Sequence, residues 1–459
     1  MSSSIPDADK KLSYDCLKCV IQKFEVNFRF QLAKRLPKIS PAEKAVPLYI
    51  SDLSVSGIGF TLNNTEYRLG VIQQAREGPT LEAIKRRNGN GGWWTDIDRF
   101  GFEKDSLPEL TPGDILIQDY RPEMELNDNL KRAEARLATE QKRLADLERE
   151  KMEMENAPEN RGRKRRRRNQ VREEQLERIN AEIRPSKVRL ANDEFAVLRF
   201  QCKRDDRPLP YDTFIQLTKK SPDGNVFIER FKYDKSLKEA LKYLICEFLG
   251  NRQLVTKIKS LGFCTFLNDG LVISLPEGVK FDVQEFGTAG NLSEVLQRVE
   301  SILEFPNRPF ARLIADSLSL EDVQNPKVRE TGILELTDNM SVDVMALYRE
   351  ITNKKVVIRS LMRGLFPDQY AMIVENLINT KGTLGTCYEF EGIRCEAKAR
   401  DALKLIAERY ENAVFVGERL VTIPLPNQLQ LDVSYEPYLI ASKFRVYNLK
   451  VEVVQNRSD

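Results

Sequence analysis

The stretch GILELTDNMSVDVMALYREITNKKVVIRS, residues 332–360, carries the pattern that decides the fold. Its apolar runs Ile333–Leu336 and Val356–Arg359 are short and rich in Ile, Leu and Val, which is typical of buried strands. Between them, Val342–Ile351 has apolar residues at helical spacing. The stretch therefore predicts a strand, a helix and a second strand in succession.

The same alternation extends in both directions from this stretch. Further strands are predicted near Phe195–Phe200, Phe214–Leu217, Val226–Phe231, Lys280–Phe286, Ala311–Ile314, Thr386–Phe390 and Val421–Leu425. Further helices are predicted at 236–250, Leu292–Leu303, Asp368–Asn379 and Glu396–Tyr410. Strand starts about 20 to 30 residues apart are typical of a leucine-rich-repeat stack. Leu334-x-Leu336-x-x-Asn339 matches the core of that repeat, but Thr331 occupies its preceding leucine position.

The middle of the chain, residues 123–195, is charged and nearly free of aromatic side chains. Leu130, Leu137 and Leu144 lie seven residues apart, which is a heptad pattern typical of a coiled coil. The complementary seam consists of Leu126, Ala133, Leu147 and Met154. Glu140 and Lys151 lie in the seam and weaken it. This segment predicts one long charged helix.

A second helical pattern follows, with apolar residues at Leu176, Ile179 and Ile183, and is expected to end at Pro185. The basic run RGRKRRRR, 161–168, separates the two helices. Two helices joined by a basic loop predict an antiparallel hairpin. The alternative is a coiled coil with a second chain, which would make the protein an oligomer through residues 124–190.

The first part of the chain, residues 1–122, is mixed in composition. Apolar residues at helical spacing between Leu12 and Ile39 predict two short helices with a break near Val26–Asn27. Roughly alternating apolar residues then predict a small antiparallel sheet, and Asn63-Asn64 suits its hairpin turn. The sequence thus predicts three domains: residues 1–122, residues 123–195 and a β/α repeat-like domain at residues 196–459.

The composition argues against an enzyme. None of the 459 residues is a histidine, which excludes catalytic triads, histidine bases and histidine-ligated zinc. Cys16-x-x-Cys19 has no second pair to complete a zinc site, and it lies inside a predicted helix, whereas a thioredoxin-type motif would follow a strand in a βαβ unit. Asp96 and Asp98 alone are a poor metal signal. We expect a non-catalytic protein with no cofactor and no metal.

The location expected from the sequence is intracellular, in the cytoplasm, the nucleus or both. The seven cysteines are an odd number without repeated spacing, which is typical of reduced thiols. The charged N-terminal residues do not form a signal peptide, and no apolar run is long enough to span a membrane.

Two motifs suggest contacts with partners. The basic block has seven positive charges, at Arg161, Arg163, Lys164, Arg165, Arg166, Arg167 and Arg168. Such a block predicts a nuclear-targeting signal, a salt-dependent contact with nucleic acid or a solvated loop. In NGNGGWWTDID, residues 88–98, the adjacent Trp93 and Trp94 point to opposite sides of an extended segment. One is expected to pack inward, and the other is a possible partner anchor.

The stretch LSYDCLKCVIQKFEVNFRFQLAKRLPKI, residues 12–39, resembles an F-box. The chain as a whole resembles a nematode-expanded family of uncharacterised proteins related to the F-box C group. The motifs that carry this resemblance are LSYDCLK, FRFQLAKRLP, GGWWTDIDRFGF, FQCKRDDRPLPYDTFIQLT, GTCYEFE and VTIPLPNQLQLDVSYEP. They extend over nearly all of residues 12–437, with the charged helical segment as an insert.

The resemblance implies an α+β multidomain protein that acts as a substrate receptor of a cullin ubiquitin ligase. The F-box-like helices would bind the adaptor subunit of the ligase, and the β/α region would hold a client protein. The implied docking face consists of Leu17, Val20, Ile21 and Phe24. The same face could instead cover the sheet that follows. The alternative function is a nuclear, nucleic-acid-associated protein that binds through Arg161–Arg168.

Overall fold

Short strands and helices alternate along the chain in the structure, which is a computed structural model. It describes residues 13–104, 109–118, 128–156, 165–264, 271–316, 318–337, 344–359, 365–380, 382–440 and 444–456. The helices are α1 (Tyr14–Gln22), α2 (Val26–Arg35), α3 (Ser40–Lys44), α4 (Glu82–Gly89), α5 (Leu130–Asn156), α6 (Arg165–Arg204), α7 (Leu237–Leu249), α8 (Leu292–Val299), α9 (Leu320–Gln324), α10 (Pro326–Arg329), α11 (Val344–Glu350), α12 (Pro367–Asn379) and α13 (Glu396–Arg409).

The strands follow the same order. They are β1 (Tyr49–Val55), β2 (Gly59–Leu62), β3 (Thr65–Ala75), β4 (Asp114–Gln118), β5 (Tyr211–Lys220), β6 (Val226–Lys232), β7 (Thr256–Phe263), β8 (Leu271–Ser274), β9 (Phe281–Thr288), β10 (Arg312–Ala315), β11 (Ile333–Leu336), β12 (Lys355–Arg359), β13 (Cys387–Ile393), β14 (Val414–Phe415), β15 (Leu420–Leu425), β16 (Leu429–Ile440) and β17 (Phe444–Gln455). The chain is therefore a mixed α and β protein, as the sequence predicts.

The chain forms two compact units, and each is assembled from separate segments. The sheet unit consists of Met1–Thr65, Glu109–Arg121 and Lys242–Asp459, and the hairpin unit consists of Glu66–Pro108 and Pro122–Leu241. These units differ from the three consecutive domains expected from composition, because residues distant in sequence pair with one another. Strand β1, for example, pairs in parallel with β7, which lies about 200 residues later.

The sheet unit is built around a run of parallel strands. Strands β7, β9, β10, β11, β12 and β13 lie side by side in the order of the chain, and each pairs in parallel with the next. Helices α8 to α12 occur in the connections between β9 and β13. The predicted strands Ile333–Leu336 and Val356–Arg359 and the helices beside them are confirmed. The repeating strand–helix alternation is therefore real.

The C-terminal end of this sheet is antiparallel. Strand β17 pairs with β13, and the order continues through β16 and β15 to β14. The turn between β15 and β16 has Asn427 and Gln428 at positive φ, as a tight hairpin requires. The strand predicted near Val421–Leu425 is confirmed as β15, but it does not close the chain as expected, because the long strands β16 and β17 follow it. Their alternating apolar residues are interrupted by charges and escaped recognition.

The N-terminal helices are held in the sheet unit by a buried carboxylate. Glu43 of α3 accepts hydrogen bonds from Arg29 of α2, at 3.1 Å from Nε, and from Arg252, at 2.9 and 3.0 Å from Nη2. All three side chains are almost fully buried. The two guanidiniums compensate the cost of burying this carboxylate. Removal of Glu43 would leave the buried positive charges of Arg29 and Arg252 facing each other. The helices α1 and α2 and the break between them agree with the sequence prediction.

The hairpin unit contains the predicted antiparallel helix pair. Ala133 of α5 packs against Ala196 and Val197 of α6, whereas Leu144, further along α5, packs against Ile179 and Ile183. This reversed order shows that the two helices of one chain run antiparallel. The heptad seam is therefore covered within the chain. Strands β3, β5 and β6 of the same unit pair in that order, antiparallel.

Two predictions about α6 are wrong. The helix does not end at Pro185 but runs on to Arg204, and Phe195–Phe200 is helix rather than strand. Proline in a helix costs roughly 3 kcal/mol. Packing on both sides of Pro185 offsets this cost, since Ile183 before it and Ala196 beyond it lie in the same interface with α5. Tertiary contacts override the local signal here.

Membrane-spanning helices are not found: none of the helices described is long and apolar enough to cross a bilayer.

The central strands should dominate the stability of the sheet unit. Leu334 of β11 is fully buried, so Leu334→Ala should lower the free energy of unfolding by about 2–5 kcal/mol through lost burial and the cavity left behind. Leu320→Ala on α9 is the matched control, since that leucine is half-exposed, and its effect should stay within about 0.5 kcal/mol. Urea unfolding followed by circular dichroism measures both. Equal effects would contradict the assignment of β11 to the core.

Candidate interaction face of the parallel sheet

One face of the parallel strands is packed against helices. Leu313, Leu334 and Val356 are fully buried and lie in neighbouring strands. On the same side, the ring of Tyr370 from α12 meets the ring of Phe390 from β13 edge to face, at 5.1 Å. The helices therefore cover the face of the sheet that carries these apolar side chains.

The residues between them in sequence lie on the opposite face, because successive side chains of a strand alternate. Ile314, Glu335 and Val357 are paired directly across β10, β11 and β12. Ile314 and Val357 are half-buried rather than buried. We call this side the open face and define it by Asp52, Glu285, Arg312, Ile314, Glu335, Val357, Arg359 and Glu391.

A ladder of ion pairs crosses the open face. The Glu335 carboxylate lies 2.9 Å from Nη1 of Arg312 and 2.8 Å from Nη1 of Arg359. Arg359 also donates from Nε to Glu391, at 2.8 Å. The four residues come from the four adjacent strands β10 to β13. We call them the Arg–Glu ladder.

The ladder holds its arginines in fixed positions at the surface. The Glu335 side chain is only 1% exposed, whereas that of Arg359 is 45% exposed. A guanidinium has five N–H donors, and Arg312 uses one of them on Glu335. The Arg312 side chain is 33% exposed, so part of its guanidinium is accessible at the surface of the sheet. Such preordered donors bind a partner with little loss of side-chain entropy.

The other end of the open face is acidic. Asp52 of β1 is paired with Ser260 of β7, which is paired with Glu285 of β9. Partial burial raises the pKa of Asp52, and the nearby negative charge of Glu285 raises it further. The β1 and β9 end of the open face therefore carries two carboxylates, whereas the two arginines and two glutamates of the ladder balance each other in charge. A positively charged group of a partner would fit beside Asp52 and Glu285.

The four residues of the implied docking face do not lie together. Ile21 is 1% exposed and packs with Ala42 and Val46, while Leu17 is half-buried against the same cluster. Val20 is 42% exposed on the other side of α1. The half-buried ring of Phe24 contacts that of the exposed Phe28, with centroids 4.9 Å apart. Of these four residues, Val20 is exposed and accessible to a partner, Leu17 and Phe24 are half-buried, and Ile21 is buried.

The two tryptophans point in opposite directions. Trp93 is 5% exposed and packs against Phe195, while Trp94 is 40% exposed. The turn before them needs its glycines: Gly91 and Gly92 have φ of 92° and 94°. This glycine-rich segment is a tight turn that fixes Trp93, and Trp94 remains a possible anchor.

The carboxylates after the tryptophans are occupied within the protein. Asp96 accepts hydrogen bonds from the Tyr233 hydroxyl, at 2.7 Å, and from the Leu237 amide at the start of α7. Asp98 accepts from the amides of Phe100 and Phe102. The bonds of Asp98 shape the turn that follows it, and the bonds of Asp96 join this segment to the start of α7. In the part of the chain that the structure describes, no group of three or more potential metal ligands is found.

The basic block can be placed only in part. Arg161, Arg163 and Lys164 lie outside the described residues, and Arg165–Arg168 are described only as backbone at the start of α6. Its role therefore stays a prediction from sequence. Cys16 and Cys19 are both exposed free thiols on α1.

Sequence reasoning missed the Arg–Glu ladder. A signal was present, because each member interrupts or ends a short apolar run: Arg312 in RLIA, Glu335 in ILEL and Arg359 in VVIR. Glu335 lies 23 residues after Arg312 and 24 before Arg359, within the repeat period of the strands. Charges inside predicted buried strands, repeated at the strand period, would have located one face.

Part of the chain matches a model of a known protein family. Residues 236–394 match a family model described as a domain of unknown function (DUF3557). The match extends from α7 to the end of β13 and so includes the parallel strands and the Arg–Glu ladder. No curated protein and no solved structure matches the chain significantly.

The ladder should depend on its central carboxylate. Glu335→Ala leaves Arg312 without its carboxylate and Arg359 paired with Glu391 alone, and should lower the free energy of unfolding by about 1–3 kcal/mol because both arginines are partly exposed. Glu391→Ala removes a half-exposed carboxylate from the end of the ladder and should cost less than about 1 kcal/mol. Urea unfolding compares the two variants. A Glu335→Ala variant as stable as the wild type would show that the ladder is not preorganised by Glu335.

Proposed function

We propose that the protein is a non-catalytic receptor that binds another protein on the open face. The observation that carries this proposal is the Arg–Glu ladder, which holds guanidinium groups in fixed positions on an accessible sheet. Ile314 and Val357 flank Glu335 and add apolar surface that is half-exposed. Arginine donors around an apolar centre are typical of protein interfaces.

The repeat-like order of the strands supports the same function. Consecutive parallel strands joined by helices, with apolar residues repeating at i, i+3 and i+5, are the arrangement of a leucine-rich-repeat stack. Phe310, Leu313 and Ala315 follow this spacing, and Leu334 and Leu336 occupy the second and third positions of the next repeat, whose first position is Thr331. We propose that β7 to β13 form such a stack. Stacks of this kind present extended binding surfaces.

The N-terminal helices would connect the receptor to a cullin ligase, as the F-box resemblance implies. What supports this part is that Val20 and Phe28 remain exposed on α1 and α2 although Ile21 is buried. Exposed apolar side chains on helices fixed by Glu43 suit a helical adaptor subunit. The nucleic-acid alternative rests on the basic block alone and stays a prediction from sequence.

Protein binding at the open face can be tested by cross-linking. The exposed Lys355 shares the face with Val357 and provides the reactive amine. The full-length protein, cross-linked in cells and purified, should yield partner peptides attached to Lys355. Ile314→Glu with Val357→Glu should lower their yield at least about tenfold, since a central interface position contributes about 2 kcal/mol or more.

The matched control for this experiment is Leu320→Glu, at a half-exposed position on α9. It should leave the yield of Lys355 cross-links unchanged. Circular dichroism and the urea midpoint must show that the double variant is folded. An unchanged yield of partner cross-links to Lys355 in a folded double variant would contradict the proposal.

Ligase docking requires a separate variant. Val20→Asp with Phe28→Asp alters exposed residues and should leave the fold intact, whereas substitution of Ile21 would disrupt a buried cluster. Co-purification and mass spectrometry should recover adaptor and cullin subunits with the wild type and lose them with this variant. Val414→Asp, at another exposed valine, is the control and should retain them. Absence of ligase subunits from the wild-type purification would refute the docking.

A further inference from the structure

Three cations of the hairpin unit surround a group of aromatic rings. The guanidinium carbon of Arg87 lies 3.5 Å from the centre of the Trp93 ring, and that of Arg199 lies 5.9 Å from the same centre. Arg199 is also 4.8 Å from the Phe102 ring, and the Lys203 amine is 5.2 Å from it. Arg87 comes from α4, while Arg199 and Lys203 come from α6. The tertiary fold thus concentrates positive charge at one place.

Arg87 and Arg199 are half-buried and lack the acidic partner that the buried Arg29 and Arg252 share. Arg29 and Arg252 lie within 3 Å of Glu43, whereas Arg87 and Arg199 have no carboxylate within 4 Å among the described residues. Arg199 donates from Nη1 to the Gly101 carbonyl, at 3.3 Å. Its Nε atom is buried and has no acceptor. A buried donor without an acceptor costs about 1–3 kcal/mol, and Arg199 has this cost in addition to its missing carboxylate partner.

The pKa shifts of the two arginines indicate that too little negative charge lies close to them. Burial lowers the pKa of Arg87 to about 10, and the neighbouring charge of Arg199 contributes to this lowering. Burial also lowers the pKa of Arg199. The acidic groups that act in the opposite direction on Arg199 are Glu103, Asp128 and Asp98, and none of them is in contact with it. Both guanidiniums lie within 6 Å of the centre of the Trp93 ring, so one anion bound beside that ring would favour the charged form of both.

The surroundings of the cluster are rigid. Trp93 exchanges two backbone hydrogen bonds with Val71 of β3, at 2.7 and 2.9 Å. The Arg86 side chain donates to Asn192, at 2.9 Å, and so ties α4 to α6 beside the cluster. The two arginines are therefore held on elements that are fixed before any ligand arrives. Such preorganisation favours a binding site over two freely moving surface side chains.

We propose that Arg87 and Arg199 bind a phosphate group, with the rings of Trp93 and Phe102 as the apolar wall of the site. A guanidinium offers parallel N–H donors that match phosphate oxygens. A phosphate group carries a charge of about −1.5 to −2 at pH 7 and so balances two arginines. The phosphate comes either free from solution or from a phosphate ester. The aromatic wall favours an ester, whose organic part would contact the rings.

Trp93 provides its own reporter. The chain has two tryptophans, so Trp94→Phe leaves Trp93 as the only one. The full-length Trp94→Phe protein is titrated with sodium phosphate and, separately, with phenyl phosphate, at constant ionic strength set with sodium chloride. We expect a saturable change of Trp93 fluorescence with both. Tighter binding of phenyl phosphate identifies an ester as the ligand, and equal binding identifies the free ion.

Variants of the arginines complete the test. In the same background, Arg87→Gln and Arg199→Gln should each weaken phosphate binding at least about tenfold, since a hydrogen bond to a charged group contributes about 1.5–3 kcal/mol. Arg76→Gln is the matched control, because Arg76 is exposed and paired with Asp212, and it should bind as the parent does. No saturable change in the parent, or equal affinity in the folded Arg87→Gln and Arg199→Gln proteins, would overturn the proposal.

A second pair of variants covers a failure to fold. Arg87→Lys and Arg199→Lys keep the positive charge and much of the stacking on the rings but lose the planar fork of donors. Phosphate should raise the melting temperature of the parent, because a ligand that binds the native state stabilises it. The melting temperatures of the two lysine variants should rise less. An equal rise in the parent and in both lysine variants would also overturn the proposal.

Discussion

Parallel pairing between consecutive strands is the constraint on which the sheet unit depends. Two parallel neighbours need a crossover connection, and in this chain helices provide it from β9 to β13. The helices must bury their apolar sides, so they cover one face of the strands and leave the other. Charged side chains at alternate strand positions are therefore collected on the open face. The Arg–Glu ladder is a consequence of the connections as much as of the residues.

Glutamates and arginines play different roles in the two units. In the sheet unit, the carboxylates of Glu43 and Glu335 each lie between two arginines. The first holds helices to the sheet, and the second holds donors at its surface. In the hairpin unit, Arg87 and Arg199 lie against aromatic rings instead. A ring stabilises a cation but does not cancel its charge, which leaves that site able to attract an anion.

Much of the fold could be predicted from local pattern. Runs such as Ile333–Leu336 and the helix after Asp368 carry their own periodicity, and the structure has them within a few residues. The heptads predicted the helical hairpin for the same reason. Pairing between distant strands could not be predicted this way, because no local pattern in β1 indicates that it pairs with β7. Pro185 also misled, because its local preference yields to packing on α5.

The candidate sites were less predictable than the fold because they depend on residues brought together from distant positions. Glu335 alone is an unusual charge in an apolar run, and only the register with β10 and β12 gives it two arginine partners. Trp93 was visible in the sequence, but the cations around it come from α4 and α6, more than 100 residues apart.

The helical hairpin has a further consequence for the history of the chain. Arg136 near its start contacts Asp193 near its end, so the chain leaves and returns at nearly the same point. Both helices could therefore become longer or shorter by the same number of turns at their far ends, while the ends that join the rest of the protein stay in place. Such a segment is one whose length could vary between relatives.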